Sequence, residues 1–250
     1  MKSNYRYIVK AFMAMAVIAG TTSCDDFLDR EPMSSISPET YYSTAAQLEA
    51  NLNDEYPNVL PSFGQWTYGI FGEDKGTDNQ IEVNANDRYT QDRWKVPHSE
   101  SDNWKFERIY RINFFLSEAL PKFGEDMSGS QNTISGSVAT IKHYIGEMYF
   151  LRAYEYFKKL QLFGDFPIIN QPLADEMEAL REASKRFPRN EVARFIISDL
   201  DKAYAYMSDV DMATTRINKD AAMLVKSRVA LFEATWLQNF KGTAFVPGGE

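Results

Sequence analysis

"GEMYFLRAYEYFKKLQLFGDFPII" occupies residues 146–169 and leaves little room for a polar face. Together with the preceding "VATIKHYI" it makes one long helical pattern. Ile141, Ile145, Met148, Arg152, Tyr156, Leu160 and Phe163 fall along one stripe at steps of three and four. Tyr149, Phe150, Leu151, Ala153, Tyr154 and Phe157 fill most of the remaining surface, so the second half predicts a helix sandwiched between neighbours. Gly146 and Ala153 are small enough to admit another backbone. Arg152, in such surroundings, requires a carboxylate or carbonyl partner, because an unpaired buried charge is costly. Gly164 is the natural C-cap and Pro167 blocks continuation, leaving a short extended piece expected at Ile168 and Ile169.

Outward from this helix the pattern stays helical. Upstream, "SDNWKFERIYRINFFLSEALPKF" places Phe106, Ile109, Tyr110, Asn113, Leu116 and Leu120 on one face. Asn113 on that stripe reads either as a ligand contact or as a buried amide fixing nearby backbone, and the second reading is preferred. The Ser/Gly-rich "MSGSQNTISGS" closes the connection to the long helix. Downstream, Asn190 is a candidate cap for a helix carrying Val192, Phe195, Ile196, Leu200, Ala203 and Tyr204. Asn218 is the cap for another carrying Ala221, Val225, Val229, Phe232 and Trp236. These two are expected to pack as an antiparallel pair. The basic cluster Arg181, Lys185, Arg186 and Arg189 lies in a Pro-flanked connection and reads as a solvated face. Trp104 and Trp236 read as core packing. Near the start, Ser37, Pro38 and Glu39 signal a helix on which Leu48 and Leu52 repeat. The sum is an all-α chain of helical hairpins. Stacked pairs suggest an α-solenoid of the tetratricopeptide kind, although "IGEMY" matches the repeat consensus only in part.

One segment breaks the pattern. From Pro57 to about Asp102 no period is sustained, while Gly64, Gly69, Gly72 and Gly76 alternate with polar residues and aromatics. Loops beyond about 12 to 15 residues in a compact domain are usually functional or disordered. The aromatics favour function. Trp66, Tyr68, Tyr89 and Trp94 offer flat faces of the kind that stack on the C–H side of a sugar ring, and Asp74, Asp78, Asn79, Asp87, Arg88 and Arg93 offer donors and acceptors for adjacent hydroxyls. Packing of these rings onto the helices is the competing reading for each of them. Trp94 and Asp78 are the first choices.

The N-terminus is a leader. Lys2, Arg6 and Lys10 flank "AFMAMAVIAG", an apolar run shorter than the roughly 20 residues a membrane span needs. Residues 1–23 read as an export signal, and residues 24–36 as a tether. The chain's only cysteine, Cys24, follows Gly20, Thr21, Thr22 and Ser23 and is immediately succeeded by Asp25 and Asp26. A lone cysteine in an oxidising compartment is free, paired with another chain, or chemically used. The segment resembles the cleavage site of a bacterial lipoprotein, with Thr21 standing where a bulky residue is usual. That resemblance implies acylation of Cys24; an ordinary signal peptide with an incidental cysteine is the alternative.

Composition excludes other classes. A net charge of -8 argues against nucleic acid, whose phosphates draw on clustered Lys and Arg. Two distant histidines, His98 and His143, provide no metal-binding spacing, and no P-loop, G-x-S-x-G elbow or dinucleotide fingerprint occurs. No cofactor is implied, and the chain is read as a binder rather than an enzyme. With 35 acidic residues some carboxylates must lie close together, so an exported glycan hydrolase stays a rival, as does a helical scaffold without a small-molecule ligand.

Five stretches in order, "CDDFLDREP", "NWKFERIYRINFFL", "GEMYFLRAYEYFKKLQLFGDFPII", "PRNEVARFIISDLDKAY" and "TRINKDAAMLVKSRVALFEATW", resemble the SusD/RagB outer-membrane nutrient-binding lipoproteins of Bacteroidetes. The resemblance implies tetratricopeptide-like helical pairs under a loop-rich ligand face. It also implies a lipoprotein anchored in the outer membrane at the cell surface, through Cys24 with Asp25 and Asp26 as export signal. Such a protein binds oligosaccharides, or in some members peptides, and passes them to a SusC-like TonB-dependent transporter. On this reading residues 37–250 are the helical half of the family's fold, whose second half has no counterpart after "FVPGGE". The segment between the first helix and "NW" is where the resemblance implies ligand contacts.

Overall fold

The computed structural model describes residues 41–61, 103–124, 126–208, 212 and 215–246, all within one unit, Tyr41–Glu250. Among them are six helices: α1 (Ala45–Val59), α2 (Glu107–Phe123), α3 (Val138–Phe163), α4 (Met177–Ala183), α5 (Arg189–Tyr206) and α6 (Lys219–Phe240). The described residues contain no strand, only isolated bridges such as Phe166 with Phe187. The all-α expectation holds.

The long α3 is the hub. It packs most extensively on α5 and also on α1 and α2, while α6 packs chiefly on α5. Seventeen of its 26 residues are buried, which is what an apolar surface on nearly every side requires. Leu48 and Leu52 of α1, Ile109, Ile112 and Leu116 of α2, and Val192, Ile196 and Leu200 of α5 close over it. Gly146 permits the closest approach. A methyl group built there would meet the backbone nitrogen of Met207 at 2.8 Å and the carbonyl oxygen of Ala203 at 2.9 Å.

Helix ends follow local chemistry, sometimes not at the expected residue. Thr44 caps α1 in a reciprocal capping box with Gln47; the signal at Ser37–Glu39 lies outside the described residues. Ser137 caps α3 and Gly164 ends it with φ +69°. Asn218 caps α6 as expected, accepting from the Ala221 amide at 2.9 Å. Asn190 is not the cap of α5. That helix begins two residues earlier than such a cap implies, after Pro188, and its first amide, that of Arg189, donates to Asp165 Oδ1 at 3.0 Å. Pro fits the entry because the first helical turn leaves its amides unpaired in any case, and an aspartate distant in sequence then satisfies one of them.

Two further expectations change. Ile168 and Ile169 lie in a non-helical stretch without ladder pairing of their own. Instead Phe166 and Phe187 exchange backbone hydrogen bonds at 3.1 and 3.2 Å, which pins together the ends of the 167–186 excursion. Nor is the basic cluster wholly solvated. Arg189 is buried and donates to Glu233 of α6 from Nε and Nη2, at 2.8 to 3.1 Å, with its guanidinium 4.0 Å from the Trp236 ring centroid. The sequence hides this because a Pro-Arg-Asn entry to a helix looks the same whether the arginine points outward or toward a neighbouring helix.

Candidate functional site

A cavity of about 620 Å³ opens between the start of α2 and the 167–186 excursion. Ligand sites commonly fall in the range of about 300 to 1,000 Å³. Trp104, Phe106 and Tyr110 form the wall on the α2 side. Ile169, Leu173 and Leu180 face them across it, and Gln171, Asp175, Ser184 and Arg186 supply its polar groups.

The aromatic wall is set by packing. Trp104 stands edge-on to Phe163 and Phe166, each with ring centroids 4.8 Å away, while Phe106 stacks on Phe166 at 5.2 Å. Phe166 is fully buried and serves as the common support. Trp104 is therefore a packing residue on one side, as expected, and a cavity wall on the other. Tyr110 does not belong to the buried stripe to which the sequence assigned it: half its surface is exposed. The buried face of α2 runs through Ile109, Ile112, Asn113, Leu116 and Ala119, and this turns Tyr110 outward.

The opposite wall is positioned from inside the core. Arg152 of α3 makes a bidentate pair with Asp199 of α5, at 2.6 and 2.8 Å, and donates to Asn113 Oδ1 at 2.8 Å and to the Asn170 carbonyl at 3.2 Å. Burial alone would lower the guanidinium's pKa; the hydrogen bonds and charge of Asp199 outweigh it and raise the value above the ordinary one. Asn113 Nδ2 donates to the Ile169 carbonyl at 2.9 Å. The Tyr156 hydroxyl also donates to that carbonyl, at 3.1 Å, and accepts from the Ile169 amide at 2.8 Å. Burial pushes the pKa of this hydroxyl well above its usual value, which keeps its proton in place. Three buried polar side chains thus hold backbone 169–170, where the excursion begins to line the cavity. The partner required by Arg152 and the backbone-fixing reading of Asn113 are both observed.

A second buried network lies on another side of α3. Glu147 accepts from Tyr56 at 2.7 Å and from Arg216 at 2.6 and 2.8 Å, and His143 Nε2 lies 3.0 Å from it. Burial would raise the pKa of this carboxyl; the hydrogen bonds from His143, Arg216 and Tyr56 bring it below its ordinary value. These groups join α1, α3 and the approach to α6, and none of them lines the cavity.

The ligand residues expected in the long loop, Trp66, Tyr68, Asp78, Asn79, Arg88, Tyr89, Arg93 and Trp94, lie outside the described residues, as do Cys24, Asp25 and Asp26. The sequence reading missed Phe106, Tyr110, Gln171, Asp175, Ser184 and Arg186 as a site. The available signal was the aromatic triplet Trp104, Phe106 and Tyr110 at the head of a helix. The excursion residues carry no pattern of their own, since the Phe166–Phe187 bridge is what brings them back to that wall. Among the described residues Asp175 is the one carboxylate of the cavity, and no group of three metal-ligating side chains occurs. The arrangement suits holding a ligand between flat apolar faces and a few hydrogen-bonding groups.

Comparison with known proteins agrees with the fold. The SusD-like family model described as "Starch-binding associating with outer membrane" matches residues 26–231. Two SusD-like proteins of Formosa agariphila are each 25% identical to the chain. The alignments cover 86% and 98% of it, but 41% and 46% of those proteins. The chain thus spans less than half the length of these relatives. A solved SusD-like protein of Bacteroides fragilis superposes with a TM-score of 0.52 at 20% identity, covering 85% of this chain and 40% of that one. A SusD-like carbohydrate-binding protein of Bacteroides vulgatus gives 0.52 at 16% identity, with 78% and 43% covered.

Proposed function

Since the chain belongs to the SusD-like family, we propose that it captures oligosaccharide nutrients at the bacterial surface and hands them, without chemical change, to a SusC-like TonB-dependent transporter. Family membership across residues 26–231 is the observation that carries this reading. The aromatic-walled cavity supports it. Trp104, Phe106 and Tyr110 offer the stacking surfaces a sugar ring uses, and Gln171, Ser184 and Asp175 offer hydrogen bonds to its hydroxyls. In this proposal Cys24 carries the lipid anchor, Asp25 and Asp26 direct export, and the loop residues Trp66, Tyr68, Asp78, Asn79, Arg88, Tyr89, Arg93 and Trp94 add contacts to the ligand.

Calorimetric titration of the purified protein with panels of oligosaccharides and short peptides tests the reading. Binding of an oligosaccharide, weakened about tenfold by Tyr110→Ala, is the expected result; that much is an ordinary loss for a central aromatic contact. Tyr110 is half exposed, so its truncation leaves the core intact. Peptide binding alone, or release of a cleaved product, would overturn the proposal in favour of a peptide binder or a glycan hydrolase.

A further inference from the structure

Arg186 gives the cavity a chemical preference. Arg111, Arg152, Arg189 and Arg216 are each paired with a carboxylate among the described residues. Arg186, like Arg108, Arg181, Arg194 and Arg228, has no such pair there, and of these five it is the one that lines the cavity. Its guanidinium lies over the face of Trp104, 4.6 Å from the ring centroid, while the residue itself is exposed and lines the cavity. The cation–π contact holds the guanidinium at the cavity wall, and its N–H groups remain available to a ligand. Among the described residues no carboxylate or carbonyl takes them up. Asp175 lines the same cavity without forming an ion pair with Arg186, and the neighbouring Lys185 is paired with Glu182 at 2.6 Å.

A preoriented guanidinium beside stacking surfaces is the arrangement that binds a planar anion two-pronged while an adjacent ring packs on the aromatic wall. We infer that this cavity selects acidic oligosaccharides, whose uronate carboxylate engages Arg186 while the sugar ring packs against Phe106 and Tyr110. The inference rests on the oligosaccharide reading above and narrows it. Asp175 then meets ring hydroxyls.

The test uses the purified chain and uronic acid oligosaccharides of the galacturonate, glucuronate and mannuronate types, each beside its methyl ester. Esterification removes the charge and keeps the sugar. The expected result is that at least one acidic member binds about tenfold more tightly than its ester, in keeping with a charged hydrogen bond, and that added salt narrows the gap. Arg186→Gln should abolish the preference, bringing acid and ester to equal affinity, with the far-ultraviolet dichroism unchanged. Arg186→Lys, which keeps the charge but not the fork, should retain only part of it. Equal binding of acid and ester, or a preference that survives Arg186→Gln, overturns the inference and leaves oligosaccharide capture standing. Failure of every member, acid or ester, to bind overturns this inference, and the oligosaccharide reading falls with it only when the broader oligosaccharide panel also fails to bind.

Discussion

At the scale of single residues, the decisive positions are those whose environment leaves one chemistry possible. Arg152 is buried and bidentate on Asp199. Asp199→Ala would leave a guanidinium without its counter-charge inside the core, and removing one partner of a buried pair typically costs about 3 to 5 kcal/mol. A fall of that size in urea-unfolding stability is expected. A loss below about 1 kcal/mol would mean that the Asn113 and Asn170 contacts suffice on their own. Arg152 was legible as needing a partner because it sits on an apolar helix. Asp199 was not legible, because an aspartate on the next amphipathic helix resembles any solvent-facing acid until the two helices are placed together. Gly146 shows the opposite case, where size alone carries the meaning. Gly146→Ala pushes a methyl group to within 2.8 to 2.9 Å of backbone on the adjoining chain segment. Backbone yields less readily than a side-chain tip, so a destabilisation of about 1 to 3 kcal/mol is expected from overpacking, measured by thermal unfolding. An unchanged melting temperature would show that α5 shifts freely on α3.

Elements were legible where their periodicity was their own, and obscure where another element determined their ends. Five of the six described helices follow stripes visible in the sequence; α4, of seven residues with none buried, has no stripe to see. The start of α5 depends on Asp165, which belongs to a preceding turn. The same logic gives the chain a pH dependence at the junction of α1, α3 and the approach to α6. Glu147 is fully buried, and its carboxyl is held below its ordinary value of 4.5 by three partners. A depressed carboxylate contributes stability that is complete above the unfolded-state value and is lost as pH falls through the lower folded-state value. Glu55 acts in the opposite sense. Burial raises its pKa, so ionising it becomes a growing cost as pH rises past the ordinary carboxylate range. Glu147→Gln removes the first contribution alone. Its deficit relative to the parent should be about 3 to 5 kcal/mol at pH 7 and should shrink as pH drops below the ordinary carboxylate value. Melting curves recorded from pH 7 to 3 check this, and a deficit that stays constant down to pH 3 would refute the linkage.

For the whole molecule, the helical scaffold was the readable half and the ligand face the unreadable one. Helices declare themselves through repeats of three and four, whereas a cavity assembled from the head of α2 and a pinned excursion has no spacing in the chain. Trp104 illustrates the limit: its packing role could be read from the helical stripe that follows it, since it stands just before α2, but its second role depends on where residues 167–186 return. The proposed function includes a lipid tether at Cys24, and capture and anchoring should be separable if they reside in different parts of the chain. Each buried methylene of an acyl group contributes about 0.8 kcal/mol, and stable attachment needs more than one chain. Among the described residues no helix is long and apolar enough to cross a membrane. On the proposed anchoring through Cys24, Cys24→Ala should move the protein from the membrane fraction to the soluble fraction with ligand affinity unchanged, whereas Tyr110→Ala should remain with the membrane and lose affinity. Fractionation and titration of both variants read the two properties independently. Persistent membrane association of Cys24→Ala would transfer the anchoring role from the acylated cysteine to protein contacts, and loss of both properties in either variant would show that they are not separable.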